Sequence, residues 1–542
     1  MPKKPYICII CNHMIKEYDV IIVGGGITGA CTARDCALRG LKTLLIERED
    51  LCDGASGRNH GLLHSGARYA VNDPEGAREC IRENLILKKI ASNCVEATGG
   101  LFISLPEDGL DWQAKFVTKC REAGIDARIL DPEKVKREVP AVNQSIIGAV
   151  SVPDASVDPF RLTDANALDA VRHGADILKF CSVEDFVRES GRVVGVRVRN
   201  AGGTQEIRGR EVVLAAGIWA ARLAEKAGVH ISMLPSKGSL LVFGHRVADI
   251  VINRCRKPSN ADIIVPDDAV SVLGTTSDKV PFEDCDDMRV TAAEVEVLLK
   301  EGVQLVPSLA HTRIIRAYAG VRPLVSEGGD GRSASRGIVL LDHETRDGVP
   351  GLITITGGKL TTARLMAEMT ADLVCSKLGV NAKCRTAQLP LTGSETAERK
   401  VSKVIDHKLG NKAQEGTLAA VGRHGSESLK MDFKGPGAEL VCECEQVTRA
   451  EIAYSIKEFG VRNLQDLRRH TRIGMGTCQG SHCVRRAAEI LAEELGCPDR
   501  AGEFLNDYLQ ERWKGMTPVL WGETLREAEF MRNRYGRKDY EI

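Results

Sequence analysis

The sequence predicts an α/β protein with a Rossmann-type dinucleotide-binding domain at its start and a small helical domain near its end. Three observations support this: a strand–turn–helix–strand unit over 18–47, two later points where a strand runs into glycines, and four cysteines between 442 and 483. A unit of the first kind, about 30 residues long, is the building block of a parallel sheet with helices on its faces.

Composition narrows the class of protein. The chain has 542 residues, enough for about three to five folding units. Lys plus Arg and Asp plus Glu number 74 each, so no net charge attracts nucleic acid, and we expect no nucleic-acid partner. No stretch reaches the roughly 18–20 apolar residues that span a bilayer. The apolar run at 6–11 is too short for a signal peptide, which favours a cytoplasmic location.

Apolar runs and helical patterns locate the individual elements. Strands are expected over 18–23 and 41–46, on either side of a helix that ends near 39. Farther along the chain the same patterns predict more elements: helices over 77–91, 291–306 and 361–378, a strand–turn–strand over 182–198, and strands over 211–217, 337–341 and 352–355.

A glycine-rich turn follows the first strand. Gly24, Gly26 and Gly29 fit the pattern G-x-G-x-x-G, and Glu47 ends the next strand. Such glycines allow a tight turn and close approach of the backbone to a pyrophosphate, while the acidic residue accepts hydrogen bonds from a ribose. These four residues are therefore the first predicted cofactor-binding residues.

The motif does not by itself distinguish FAD from NAD, but two features favour FAD. The motif lies at the start of the chain, and the chain returns to strand–glycine junctions at Gly217 and at Gly357-Gly358. The second junction leads through Thr361 into a helix. A cofactor domain that is split in this way, with substrate segments between its parts, suits a large bound flavin.

Four cysteines form the pattern C-x-C…C-x4-C: Cys442, Cys444, Cys478 and Cys483. Four thiolates are the usual ligands of a 2Fe–2S cluster, and nearby glycines let backbone N–H groups approach its sulfurs. A zinc site and free thiols stay open as alternatives, although C-x-C spacing is poor for zinc. Most of the other cysteines, of 18 in all, are expected to be small buried side chains. Cys8 and Cys11 lie in a segment, 1–16, that we interpret as a non-essential extension.

Several segments resemble one family. The chain is similar to the FAD-dependent glycerol-3-phosphate dehydrogenases over about 17–380, in GRNHGLLHSGARY (57–69), GTT (274–276), AGVRP (319–323) and GGKLTT (357–362). The cysteine spacing resembles bacterioferritin-associated-ferredoxin-like (BFD-like) domains. Together with the tail ERWKG (511–515), it narrows the resemblance to the large catalytic subunits of the anaerobic members of that family.

The resemblance implies a domain arrangement. Residues 17–380 would form a glutathione-reductase-like FAD-binding fold of the D-amino-acid-oxidase group, with an inserted antiparallel-sheet substrate domain at roughly 80–145 and 236–315. A helical connector over 381–437, a BFD-like 2Fe–2S domain over 438–500 and a helical tail over 501–542 would follow. The turn-forming residues Gly435-Pro436-Gly437 separately predict a linker before the BFD-like domain.

The resemblance also implies the substrate site. Glycerol 3-phosphate carries about two negative charges, and Arg68, Arg322 and Lys359 lie in the matched segments, where arginine suits a two-pronged phosphate contact. Tyr69 is a further substrate-binding residue. Arg322 and Lys359 are also predicted catalytic residues, with His64 as the candidate base for the hydroxyl proton while a hydride passes to FAD.

The expected electron acceptor lies beyond this chain. A cluster implies partner subunits as acceptors, and the resemblance implies a membrane-associated complex of anaerobic respiration that ends at a quinone, with this chain peripheral at the inner membrane. Two alternatives stay open. One is an amine- or amino-acid-oxidising flavoenzyme of the same fold, and the other is a redox carrier that turns over no substrate.

Overall fold

A computed structural model describes residues 17–325, 337–394 and 411–535. The predicted extension at 1–16 therefore lies outside the described residues. Among the described residues, no helix combines the length and apolar character that crossing a membrane requires.

The large domain centres on an eight-stranded mixed sheet. Tyr18–Val23 lies in its middle and pairs in parallel with Thr43–Ile46 on one side and Gly203–Leu214 on the other. Val20, Ile21 and Ile22 are all fully buried, because both faces of this sheet are covered. The other strands are Asp176–Leu178, Ser182–Glu189, Arg192–Asn200, Ile338–Asp342 and Leu352–Gly357.

Three helices pack on one another and cover this sheet: Ile27–Leu38, Pro159–Arg172 and Ala363–Leu378. The helices and strands predicted from the sequence are confirmed, and most of their ends move by at most three residues. The strand predicted over 211–217 is longer and begins eight residues earlier, at Gly203. The helix predicted over 291–306 is Ala292–Leu305, and Thr291 caps it by accepting a hydrogen bond from the N–H of Glu294. Its start is sharp because this capping box satisfies free N–H groups at the helix end.

The inserted domain is a nine-stranded sheet. Most pairs are antiparallel, but Gly100–Ser104 and Val251–Arg254 run in parallel, so the sheet is mixed rather than purely antiparallel. Met233–Phe243 and Ile314–Val325 pair along their length, which carries the sheet past the predicted end at 315. The other strands are Arg128–Leu130, Gly148–Val152, Ile263–Asp267, Val270–Gly274 and Asp278–Lys279.

Shorter elements complete the large domain. Leu62–Leu63, Val95–Glu96 and Ala155–Val157 form a three-stranded sheet beside the cofactor-binding elements. The remaining helices are Pro74–Ile90, Asp111–Glu122, Pro132–Glu138, Ala220–Lys226 and His343–Asp347.

Residues 411–535 form what we call the C-terminal module. Its two short strands are Leu440–Cys442 and Val447–Thr448. Its helices are Asn411–His424, Arg449–Phe459, Leu464–Thr471, Val484–Glu494, Ala501–Met516 and Gly522–Tyr535. The linker predicted at 435–437 is part of a packed 3-10 turn, Gly435–Ala438, and one continuous apolar core joins the module to the first sheet. The module is therefore docked on the large domain.

His470 is a central contact of this docking. Its Nδ1 lies 2.7 Å from Asp164 Oδ2, and its Nε2 lies 2.8 Å from Asp50 Oδ2. Lys179 also pairs with Asp50, and the Phe459 ring stacks on the imidazole. Burial acts to lower the pKa of His470, but the two carboxylates outweigh burial and raise the pKa to about 9. The imidazole is therefore charged at neutral pH.

The stability of the protein is expected to fall as pH rises from about 6.5, the ordinary pKa of histidine, to about 9. The pKa of His470 is higher in the folded state, so its contribution is fully present below pH 6.5 and is lost as pH rises through 9. At 1.36 kcal/mol per pKa unit this contribution is roughly 3 kcal/mol. The thermal-unfolding midpoint between pH 6 and 10 measures it.

Two variants test the assignment of this pH dependence to His470. His470→Gln should flatten the decline of the unfolding midpoint between pH 6.5 and 9, because glutamine has no titrating ring. His245→Gln, at an exposed position, is the matched control and should keep the parent profile. An unchanged decline in the His470→Gln protein would contradict the assignment.

Candidate functional site

The turn after the first strand requires glycine at two positions, because a side chain at either would clash with the backbone. Gly24 has φ +116°, and a Cβ there would lie 2.6 Å from the carbonyl oxygen of Ala215. Gly29 has a different role, because a Cβ on it would meet the carbonyl oxygen of Gly24 at 1.9 Å. Gly24 thus keeps the backbone open toward a ligand, while Gly29 allows close packing of the helix on the turn.

Glu47 is fixed beside this turn. The Gly25 N–H donates to its Oε2 at 2.6 Å, and the Glu49 N–H donates to its Oε1 at 2.9 Å. Burial raises the pKa of Glu47 even though these two N–H groups act to lower it. Each carboxylate oxygen keeps a second lone pair, so the group is placed to accept hydrogen bonds from a ribose.

A single cavity of about 530 Å³, which we call the dinucleotide cavity, connects the predicted cofactor and substrate residues. Its volume is within the roughly 300–1,000 Å³ typical of small-molecule sites. Gly29 does not line it. Its lining includes every other residue predicted for these two sites: Gly24, Gly26, Glu47, His64, Arg68, Tyr69, Gly217, Arg322, Gly357, Gly358, Lys359 and Thr361.

Replacing Gly24 with alanine is expected to lower the cofactor content of the purified protein about tenfold or more, since backbone strain of this kind costs roughly 1–3 kcal/mol before any clash is added. Gly40→Ala is the matched control, because Gly40 also has a positive φ, +82°, but open space around its Cβ position. The ratio of bound cofactor to protein, measured by absorbance, checks the prediction. Equal ratios in the two variants would contradict it.

His64, Tyr69 and Lys359 form one corner of the dinucleotide cavity. The Tyr69 hydroxyl lies 3.5 Å from His64 Nε2, and Lys359 Nζ lies 4.6 Å from the centre of the Tyr69 ring. The backbone N–H of His64 donates to Thr361 Oγ1 at 3.1 Å. This contact joins two segments that are far apart in the chain and sets the position of the imidazole.

Arg68 and Arg322 reach the cavity from different strands and turns. Arg68 donates to the Ser259 carbonyl oxygen at 3.0 Å and pairs with Asp262 at 3.3 Å. Arg322 donates to the Thr276 carbonyl oxygen at 2.9 Å and also to the Thr275 hydroxyl. Both guanidinium groups are therefore held in place by neutral or acidic protein groups at the cavity wall.

Some residues of the site carried no recognised signal. Asp262 holds Arg68, but nothing in the sequence around it marks that role. Ser56 accepts a hydrogen bond from the N–H of Ile27 at 3.0 Å, at the start of the first helix. The short run of small residues at 54–57 could have indicated that Ser56 lies at a turn next to the cofactor site. Gly238 was also missed: a Cβ there would lie 2.4 Å from the Arg322 guanidinium.

The four predicted cluster cysteines lie together in the C-terminal module. Cys444 Sγ is 3.5 Å from Cys478 Sγ, and the thiols of Cys444 and Cys483 are close enough to Cys442 to shift its pKa. Cys442 and Cys483 are buried, while Cys444 and Cys478 are half-buried. Nearby backbone N–H groups of Gly474, Gly480 and His482 act to lower the pKa of Cys442 or Cys478. A Cβ at Gly476 would lie 2.7 Å from Cys444 Cβ, so that glycine keeps the site open.

The chemistry of these donors fits a two-iron cluster. Within 17–325, 337–394 and 411–535, no three His, Cys, Asp or Glu side chains are arranged to hold one metal ion. A 2Fe–2S cluster instead divides four thiolates between two irons. Two adjacent thiol pairs near backbone N–H groups meet that requirement. The dinucleotide cavity likewise has the glycine turn and the acidic residue that a dinucleotide such as FAD needs.

Comparison with known proteins supports both sites. A family model described as FAD dependent oxidoreductase matches residues 19–373, and one described as BFD-like [2Fe-2S] binding domain matches 440–493. The A-type subunit of the anaerobic glycerol-3-phosphate dehydrogenase of Escherichia coli strain K12 is 55% identical over 524 residues, which cover 95% of this chain and 96% of that protein.

Similarity extends to an archaeal protein and to a solved structure. The A1-type subunit of the anaerobic glycerol-3-phosphate dehydrogenase of Haloferax volcanii is 43% identical, covering 95% of this chain and 89% of that one. The glycerol-3-phosphate dehydrogenase of Bacillus halodurans, solved with FAD, superposes with a TM-score of 0.69 at 23% identity, covering 94% and 97% of the two chains. That structure confirms the predicted fold class.

The FAD domain that matches the first family model contains the dinucleotide cavity, and the domain that matches the second contains the four thiols. Both matches agree with the near full-length similarity to one set of proteins. The chain carries an FAD-dependent oxidoreductase domain and a 2Fe–2S binding domain. It belongs to the FAD dependent oxidoreductase family and, within that family, to the A-type subunits of anaerobic glycerol-3-phosphate dehydrogenases.

Proposed function

We propose that this protein oxidises sn-glycerol 3-phosphate to dihydroxyacetone phosphate and passes the electrons through its 2Fe–2S site to partner subunits and finally to a quinone. One observation carries the proposal: Arg68, Arg322 and Lys359 come from three separate segments yet line a single cavity with the glycine turn and Glu47. The relatives named above are called dehydrogenases of this compound, which supports the same reaction.

The charges of the cavity suit a phosphate monoester. Such a group carries about two negative charges, and guanidinium groups bind it with paired N–H donors. Arg322 is anchored by Thr275 and by the Thr276 carbonyl oxygen, so its direction is set before the substrate binds. Lys359 adds a point charge above the Tyr69 ring. These groups orient the phosphate end and leave the C2 carbon to face the flavin.

His64 and Tyr69 are the residues proposed to take part in removing the proton of the C2 hydroxyl. Bound FAD supplies the hydride acceptor, and the bound cluster supplies one-electron transfer. As the C2–H bond breaks, the C2 hydroxyl gives its proton to His64, and the C2–O bond becomes a carbonyl. Tyr69 lies 3.5 Å from His64 Nε2 and helps to orient the imidazole.

Replacing His64 with alanine is expected to lower kcat by roughly 10²–10⁴-fold, the usual contribution of a positioned general base. FAD content should change far less, since His64 lies at the substrate end of the cavity. His245→Ala, at an exposed histidine, is the matched control. Unchanged turnover in the His64→Ala protein would remove His64 from the mechanism.

A substrate panel tests the proposed reaction. The purified holoenzyme is mixed anaerobically with an artificial electron acceptor and, in turn, with sn-glycerol 3-phosphate, glycerol, glycine, sarcosine or proline. Turnover is expected with glycerol 3-phosphate alone. Turnover with an amino acid instead would favour an amine-oxidising enzyme, and turnover with none would favour a redox carrier.

The partner subunits and the membrane complete the proposal. The related proteins are named as subunits, and Cys444 and Cys478 are half-buried, which leaves part of the cluster site open to an electron-accepting surface. We propose that the chain associates with the inner membrane through these partners. Cell fractionation tests this: the chain should sediment with membranes when its partners are present and stay in the supernatant when their genes are deleted.

A further inference from the structure

A second cavity, of about 480 Å³, lies between the large domain and the C-terminal module. Its walls come from the strand Ile314–Val325, the helix Leu464–Thr471, the helix Ala501–Met516 and the loop that contains Asn59. Asn59 and its neighbours also line the dinucleotide cavity, so this loop separates the two spaces. None of the predicted site residues lines the second cavity.

Two of the six arginines that line this cavity lie on opposite sides of it. Arg316 lies on the strand and Arg468 on the helix of the C-terminal module. The Nε atom of each is buried without a hydrogen-bond partner. Within residues 17–325, 337–394 and 411–535, neither guanidinium makes a hydrogen bond or an ion pair with another side chain, and the ring of Tyr318 is 6.0 Å from Arg316.

The acidic side chains of the cavity compensate these charges only in part, because most of them are exposed or paired with other cations. Glu49 and Asp507 are exposed at the surface. The paired groups include Asp267 with Arg472, Asp466 with Arg469, Asp286 with Arg48, and Glu511 with Lys514.

The two guanidinium groups also repel one another. Burial, followed by the charge of Arg316, lowers the pKa of Arg468 to about 9. Burial lowers the pKa of Arg316 as well. The charge of Glu511 acts to raise the pKa of Arg316, but burial outweighs it. Two partly desolvated like charges that are compensated only in part are unfavourable, and an anion between them removes both the repulsion and the missing hydrogen bonds.

We infer that Arg316 and Arg468 form a binding site for a small dianion of the phosphate class, separate from the dinucleotide cavity. Two guanidinium groups match its two negative charges, and their N–H donors match its oxygens. Inorganic phosphate and a phosphate monoester share this chemistry. The inference stands whether or not glycerol 3-phosphate is the substrate, because none of its evidence comes from the dinucleotide cavity.

Calorimetric titration of the holoenzyme with inorganic phosphate tests the site. Arg468→Gln and Arg316→Gln should each weaken one class of phosphate binding about tenfold or more, the effect of losing a hydrogen bond to a charged group. Arg322→Gln, which alters the dinucleotide cavity, should leave this class of phosphate binding unchanged. The exposed Arg485→Gln is the matched control and should bind as the parent does. Parent-like affinity in both cavity variants would overturn the inference.

A second measurement needs no variant. Phenylglyoxal modification of the unaltered holoenzyme, followed by mass spectrometry, reports the reactivity of each arginine. Inorganic phosphate or glycerol 3-phosphate should protect Arg316 and Arg468 but leave Arg485 reactive, and uncharged glycerol should protect none of them. Protection by glycerol 3-phosphate alone would identify a monoester as the ligand. Protection by neither phosphate compound would overturn the inference.

Discussion

Arg322→Gln is expected to lower kcat/KM for glycerol 3-phosphate by roughly 10²–10⁴-fold. A hydrogen bond to a charged group contributes about 1.5–3 kcal/mol, and a two-pronged contact with phosphate makes two of them. The guanidinium lines the cavity on the strand Ile314–Val325, where Thr275 and Thr276 hold it. Steady-state kinetics with an artificial electron acceptor measures the loss.

Three controls separate binding from folding. Arg322→Lys keeps the charge but not the paired donors, so kcat/KM should lie between the parent and the glutamine variant. Arg485→Gln should behave as the parent, because Arg485 is exposed on the C-terminal module. FAD content should remain at the parent level in all three proteins. Normal kcat/KM in Arg322→Gln would contradict the proposed phosphate contact.

Cys478→Ser is expected to remove the 2Fe–2S cluster and stop electron transfer beyond the flavin. Its Sγ lies 3.5 Å from Cys444 Sγ, so the two thiols are close enough to serve one cluster. A serine hydroxyl stays protonated at neutral pH and is a poorer iron ligand than a thiolate, so one iron lacks a full set of thiolate ligands. Iron and acid-labile sulfide should fall to near zero, while flavin reduction by glycerol 3-phosphate persists at a rate within about twofold of the parent.

Cys497→Ser is the matched control for this loss. Cys497 is also half-buried in the C-terminal module but lies outside the four-thiol set. Its iron and sulfide content should equal that of the parent. Full cluster content in the Cys478→Ser protein would contradict the assigned ligands, and zinc in place of iron and sulfide in the parent would contradict the cluster itself.

The sequence predicted those parts of the site that depend on local geometry. The turn at Gly24 and Gly26 is recognisable from a few consecutive residues, because the chain must bend there and stay open to a ligand. The cysteine pattern is local in the same sense, since the two members of each pair are at most five residues apart. The substrate cations were predicted by family resemblance rather than by any periodicity around Arg68 or Arg322.

Contacts between residues that are far apart in the chain could not be predicted from the sequence in this way. Asp262 orients Arg68 across 194 positions, and His470 bridges to Asp50 across 420. No periodicity or spacing reports such pairs. Contacts such as that of His470 with Asp50 dock the C-terminal module on the large domain. Because the sequence does not reveal them, it predicted a linker at 435–437, where the structure has a packed turn. Gly29 shows the same limit, because only the packed helix reveals that it does not line the cavity.

The central claim of the proposed mechanism is that one chain takes electrons from glycerol 3-phosphate at its flavin and passes them to its own cluster. Anaerobic rapid mixing of the holoenzyme with glycerol 3-phosphate, followed by absorbance, tests this claim directly. The flavin bands should bleach first and the cluster bands afterwards, with no change on mixing with glycerol or proline. Flavin bands that stay oxidised with glycerol 3-phosphate, or a cluster that stays oxidised after the flavin is reduced, would contradict the claim.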